Sequence, residues 1–81
     1  MPRVQLLTKP NCHLCDSARA VVLEVCEQLN ENFQELDITE HPNLAAIHAD
    51  FVPVLLVDGN EIAVWQVLPE PLILALTKPK P

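Results

Sequence analysis

The chain has 81 residues and a net charge of −6, with five Lys+Arg against eleven Asp+Glu. That length allows one domain, and the acidity argues against a phosphate-backbone ligand, so no nucleic-acid partner is expected. The single glycine, Gly59, excludes Gly-rich phosphate loops, and no apolar run approaches the ~20 residues of a membrane span.

Arg3 to Leu7 reads as a short strand stopped by Thr8-Lys9-Pro10-Asn11. A helical pattern follows, with Leu14, Ala18, Val21, Val22, Val25 and Leu29 at the spacing of one buried face. Arg19, Glu24 and Glu27 supply much of its polar remainder, and Asn30 to Asn32 is the expected stop. Phe33 to Ile38 alternates Leu36 and Ile38 with Glu35 and Asp37, as a half-exposed edge strand would. Pro42 suits the opening turn of a second helix over Asn43 to His48.

Val52 to Val57 is the most apolar run and reads as a buried strand. Pro53 lacks the N–H that a central ladder position needs, so it belongs where that strand starts. Asp58-Gly59 signals a tight hairpin, with Glu61 to Trp65 as the returning strand. A last helix starts at Pro69 or Pro71 and turns Leu72, Ile73, Ala75 and Leu76 inward. The order β-α-β-α-β-β-α predicts an α/β domain over residues 1–77, with a short tail at 78–81. The first two strands should be parallel and the last two an antiparallel hairpin, in a mixed four-stranded sheet with three helices.

Cys12-His13-Leu14-Cys15 lies where the first strand hands over to the first helix. Residues three apart at a helix start have Cβ atoms about 5–6 Å apart, close enough for a disulfide with small adjustment. Unsatisfied N–H groups and the positive dipole end favour a thiolate there, and Lys9 adds a nearby positive charge. Cys12 is therefore the expected nucleophile, and Cys15, facing the sheet, the resolving thiol. At a strand-to-helix junction of a βαβ unit such a pair reads as redox-active. Three cysteines suit no disulfide scaffold, and the first ten residues are too poor in apolar side chains for a secretory signal. A reducing compartment, the cytoplasm, is expected.

Two other readings of the pair stay open at this point: two small core residues in a binding module, or ligands of a metal or iron–sulfur carrier. Zinc needs four ligands and the motif supplies two. His41 and His48 are seven apart, about 10 Å along a helix, and read as surface polar groups. No metal site is expected. Cys26, about 16 Å along the helix from Cys15, reads as a buried structural thiol. Trp65 and Phe51 read as packing residues.

Thr8-Lys9-Pro10-Asn11-Cys12-His13-Leu14-Cys15 resembles the active-site segment of glutaredoxins, and Val52-Pro53 resembles their cis-proline loop. The element order is similar to the glutaredoxin version of the thioredoxin fold. The His-Leu between the cysteines, with the Val-Pro-Val-Leu run, is closer still to small bacterial glutaredoxin-like proteins. The resemblance implies a thiol–disulfide oxidoreductase needing no organic cofactor and acting on a protein or small-molecule disulfide. It implies a glutathione-carboxylate contact at Lys9, and substrate contacts at Val52 and Pro53 beside the disulfide. Where glutaredoxins carry Gly-Gly and then an acidic residue to bind glutathione, this chain reads Trp65-Gln66-Val67-Leu68-Pro69-Glu70. Weak or absent glutathione-dependent activity is therefore expected, despite an active dithiol pair.

Overall fold

A computed structural model describes residues 3–77; the tail expected at 78–81 lies outside the described residues. The elements run β1 (Val4–Thr8), α1 (His13–Gln28), β2 (Phe33–Asp37), α2 (Pro42–His48), β3 (Val54–Val57), β4 (Asn60–Val64) and α3 (Pro69–Thr77). Single 3-10 turns, Ile38–Glu40 and Ala49–Phe51, precede and follow α2. The sheet order is β2-β1-β3-β4. β1 pairs with β2 in parallel and with β3 antiparallel, and β3 pairs with β4 antiparallel. This is the thioredoxin-like α/β arrangement expected from the element order.

Two apolar clusters divide along the pleat of the sheet. Val4, Leu6, Leu55 and Val57 meet Ala18, Val22 and Val25 of α1 and Leu72 and Leu76 of α3. On the other face, Leu7, Val54 and Leu56 meet Leu44 and Ala45 of α2. Alternation places Leu6 and Leu7 on opposite faces, and because helices cover both, each is fully buried. β2, an edge, is only half-buried along its length.

Local chemistry sets the element ends. The chain leaves α1 through Asn30, which takes a left-handed φ of 56°. Its N–H donates to the Glu27 carbonyl (3.3 Å), and the Glu31 N–H donates to the Cys26 carbonyl (2.8 Å). These two bonds form a Schellman stop, for which asparagine is the usual substitute for glycine. Asn30→Ala is expected to destabilise the protein by about 1 kcal/mol while Asn30→Gly does not, since only the alanine Cβ is penalised in the left-handed region; denaturant unfolding of the two variants checks this. Asp58 and Gly59 both have positive φ, 53° and 82°, and Val57 faces Asn60. That is the two-residue primed turn whose twist matches the flanking strands. Arg3 clamps this hairpin to the start of β1, with two nitrogens on the Asp58 carboxylate (3.0 and 2.9 Å) and a third on Glu31 (3.3 Å).

Several expected boundaries shift. Leu14 was expected on the buried face of the first helix, yet it is 53% exposed. The buried stripe of α1 is Cys15, Ala18, Val22, Val25 and Cys26. Small thiols carry both of its ends, and Leu14 falls off its edge. Ile38 leaves β2 for the 3-10 turn but stays buried beneath it. Val52 and Pro53 precede β3 rather than opening it, because Pro53 has no N–H to enter the ladder. Trp65 lies past the end of β4. His48, expected at the surface, has a side chain only 12% exposed, with Nδ1 3.7 Å from a Glu61 carboxylate oxygen.

Candidate thiol–disulfide site

The site forms where β1 ends and α1 begins. Pro10 and Asn11 turn the chain, Asn11 taking a φ of 58°, a conformation that asparagine tolerates better than most residues. Cys12 then occupies the N-cap of α1 with extended backbone angles, and its Sγ accepts a hydrogen bond from the Cys15 N–H at 3.2 Å. N-capping is usually done by Ser, Thr, Asp or Asn oxygen. Here a sulfur does it, accepting from a helix N–H that would otherwise be unsatisfied.

Cys15 sits one turn further on and is buried, at 1% exposure. It packs with Leu7, Ile38, Val52 and Val54, and Cys12 lies against the same cluster. Burial pushes the Cys15 thiol up to about 11, and its hydrogen bond to the Cys12 sulfur pushes in the same direction. A hydrogen bond from the Lys9 main chain and the charge of Arg19 act against both. The two thiols are thus dissimilar in exposure: Cys12 is partly open to solvent and Cys15 is closed off. Cys26, at the far end of α1, is buried in the other cluster, and burial there also raises its thiol.

The Val52–Pro53 peptide bond is cis. Pro53 is fully buried and Val52 nearly so, and Val52 shares the cluster that holds both motif cysteines. The structure therefore brings Cys12, Cys15, Val52 and Pro53 to one end of the sheet. Lys9 comes there as well, exposed on the wall of a polar cavity of about 370 Å³ that also contains Cys12, His13, Asp16 and Arg19.

One polar network on this flank has no counterpart in the sequence motif. Arg19 grips Glu35 of β2 through two nitrogens, at 2.6 and 2.7 Å, and Asp16 through a third at 2.9 Å. The buried Thr8 hydroxyl donates to the same Glu35 carboxylate at 3.0 Å. The Arg19 guanidinium, followed by the Thr8 hydroxyl, holds the Glu35 carboxyl below the usual carboxylate range. Arg19 thereby ties α1 to β2 behind the cysteine pair. Sequence periodicity placed Arg19 and Glu35 on outward faces and gave no sign that they meet.

On the opposite flank α1 faces the β4–α3 connection across an apolar groove of about 550 Å³. Leu14, Ser17, Ala18 and Val21 form one wall, and the segment from Trp65 to Pro69 forms the other. Trp65 has a φ of 66°, a left-handed conformation that costs a bulky L-residue roughly 1–2 kcal/mol. Its surroundings hold it there. The Trp65 N–H donates to the Pro53 carbonyl (2.9 Å) and, less closely, to that of Phe51 (3.2 Å). Its Nε1 donates to the Asp50 carbonyl at 3.1 Å, and its ring lies 6.0 Å from that of Phe51. The two rings pack on each other, but neither is covered: Phe51 is 41% and Trp65 53% exposed.

Among the described residues no cluster of three or more His, Cys, Asp or Glu side chains is arranged to hold a metal ion. No described helix is long and apolar enough to cross a membrane.

Comparison with known proteins agrees with this geometry. Residues 3–77 match the family model of the glutaredoxin-like domain (DUF836). The uncharacterized protein Rv0508 of Mycobacterium tuberculosis is 32% identical over 71 residues, covering 82% of this chain and 73% of its own length. Mb0520 of Mycobacterium bovis matches to the same extent. Among solved structures, the structural genomics target XcR50 from X. campestris superposes with a TM-score of 0.72 at 26% identity, over 90% of this chain and 93% of that one. The glutaredoxin grx-1 of Archaeoglobus fulgidus gives a TM-score of 0.62 at 17% identity, over 96% and 89%, a likeness of fold alone. With its whole described length matched by the family model and its cysteine pair at the head of α1, the chain belongs to the glutaredoxin-like domain family.

Proposed function

We propose that this protein is a thiol–disulfide oxidoreductase of a reducing compartment such as the cytoplasm. The observation that carries this reading is the capping bond, in which the partly exposed Cys12 sulfur receives the Cys15 N–H at the start of α1. A thiolate at Cys12 attacks one sulfur of a substrate disulfide. A mixed disulfide forms, and the other substrate sulfur leaves as a thiolate that takes up a proton. Cys15, buried beneath, then loses its proton and attacks the Cys12 sulfur. The substrate is released as its second thiol and a Cys12–Cys15 disulfide remains. Each cycle moves two electrons from the protein dithiol to the substrate, and a cellular thiol or dithiol reductant restores the pair.

Iodoacetamide labelling of the reduced protein near neutral pH, with mass mapping of the site, tests the division of roles. Cys12 is expected to label first, with Cys15 and Cys26 protected by burial. A redox titration of the same preparation should show a reversible two-electron couple that disappears when Cys12 is blocked. Labelling that begins at Cys15 or Cys26 in the folded protein would sink the assignment.

A further inference from the structure

We propose that the groove between α1 and the β4–α3 connection selects the substrate, and that its occupant is a cysteine-bearing polypeptide with a bulky apolar side chain next to the reactive sulfur. The inference rests on the exchange chemistry proposed above and deepens it.

Three observations converge. The groove includes a residue of the cysteine motif itself. Leu14, two residues past Cys12, forms one wall. Trp65, on the other wall, is hydrogen-bonded to the carbonyl of Pro53, and Pro53 follows the Val52 that packs with both cysteines. Next, the lining is apolar and carries no charged side chain, although the protein as a whole has a net charge of −6. A small peptide bearing two carboxylates and an ammonium group, as glutathione does, would find no counter-ion in it and would lose hydration on entering. An uncharged apolar side chain loses nothing there and gains burial. Finally, large side chains that a small domain would ordinarily cover stand open on this rim: Leu14, Trp65 and Leu68 are 53%, 53% and 48% exposed. Trp65 is also held in a left-handed backbone conformation by four surrounding groups. Strain of that kind persists where the structure over-determines it, and such residues concentrate at ligand clamps.

Lys9 extends the same logic to the polar flank. It lines the cavity on the other side of Cys12 and has no ion-pair partner among the described residues. Arg19 in the same cavity is already neutralised by Glu35 and Asp16. A polypeptide crossing Cys12 would therefore put its apolar side chain in the groove and face Lys9 with a polar or acidic one.

The test uses the reduced full chain and three probes: a pair of disulfide-linked decapeptides that differ only in Leu or Ser beside the cysteine, and glutathione disulfide. Reduction is followed by release of the peptide thiol. The Leu peptide is expected to show a kcat/KM about tenfold or more above the Ser peptide, consistent with burying one aliphatic side chain, and glutathione disulfide should be the poorest of the three. Leu68→Ser and Leu14→Ser, each checked for folding by circular dichroism, should narrow the Leu preference to within about twofold. Equal turnover of the Leu and Ser peptides, or glutathione disulfide reduced as fast as the Leu peptide, overturns the groove assignment and leaves the oxidoreductase reading standing. No turnover of any probe by a protein whose Cys12 is reduced and accessible overturns that reading instead.

Discussion

Replacing Cys12 with serine is expected to slow disulfide exchange by roughly a thousandfold or more, because a serine hydroxyl stays protonated near neutral pH and cannot displace a thiolate. Serine would still cap α1, its oxygen accepting the Cys15 N–H as the sulfur does now at 3.2 Å. The fold should survive, and the loss can be read as chemistry. Cys15→Ser should behave differently. Attack by Cys12 remains, but nothing can resolve the product, so a mixed disulfide accumulates and turnover stops after one event. Stopped-flow assay with a chromogenic disulfide, followed by intact-mass measurement, separates the two variants. Cys26→Ser should leave both steps within about twofold, because Cys26 lies in the cluster under α3 rather than in the one holding the pair. A Cys12→Ser protein that keeps more than a tenth of the rate would mean that another thiol attacks.

Much of this site could be read along the chain because its parts are local. A sulfur at the first residue of a helix and another one turn inside it need only the strand-to-helix junction, which Pro10 and Asn11 mark. The order of strands and helices along the chain followed from periodicity for the same reason. Leu6 and Leu7 are buried on both faces of a central strand, whereas Phe33 to Asp37 is half-buried, as an edge is. What remained hidden depends on contacts between distant segments. Arg19 and Glu35 are both outward on their own elements, and they meet because β2 lies beside β1 under the polar side of α1. His48 reads as a surface residue until the Glu61 strand is seen to run beside it.

Leu14 shows a different failure. An apolar residue at this spacing is expected in the core, and the structure places it on the groove wall. Periodicity cannot distinguish a side chain buried by the protein from one left for a partner, because hydrophobicity is the same in either case. Trp65 is the converse. A tryptophan at the end of an alternating run reads as strand, yet its backbone leaves the β region altogether. Glycine would be the ordinary solution at that φ. A tryptophan there gives up backbone stability and gains exposed ring surface on the groove wall.

The resolving step should be strongly pH-dependent. Cys15 must be a thiolate to attack, and its thiol is pushed up to about 11, foremost by burial. In the mixed disulfide Cys12 no longer accepts the Cys15 proton or carries charge, so that part of the upward push disappears. Burial remains, opposed by the Lys9 main chain and the Arg19 charge. Below its pKa the thiolate fraction grows tenfold per unit, so release of a bound peptide from the mixed disulfide should speed up by roughly a hundredfold between pH 6 and pH 8. Rapid-quench measurement of a single turnover gives this profile, and a flat one would show that Cys15 is not the resolving group. Arg19→Gln should slow release several-fold at neutral pH, since removing a positive charge beside the thiol raises it further. The same displacement acts on stability with a definite sign. The folded thiol holds its proton more tightly than an ordinary thiol with a pKa near 9.0. Its stabilising contribution is complete below about pH 9 and is lost as the pH climbs towards about 11. Reduced wild-type protein should therefore lose stability in that window relative to Cys15→Ser, which has no thiol to titrate there, and denaturant unfolding at pH 8 and pH 10 measures the difference directly.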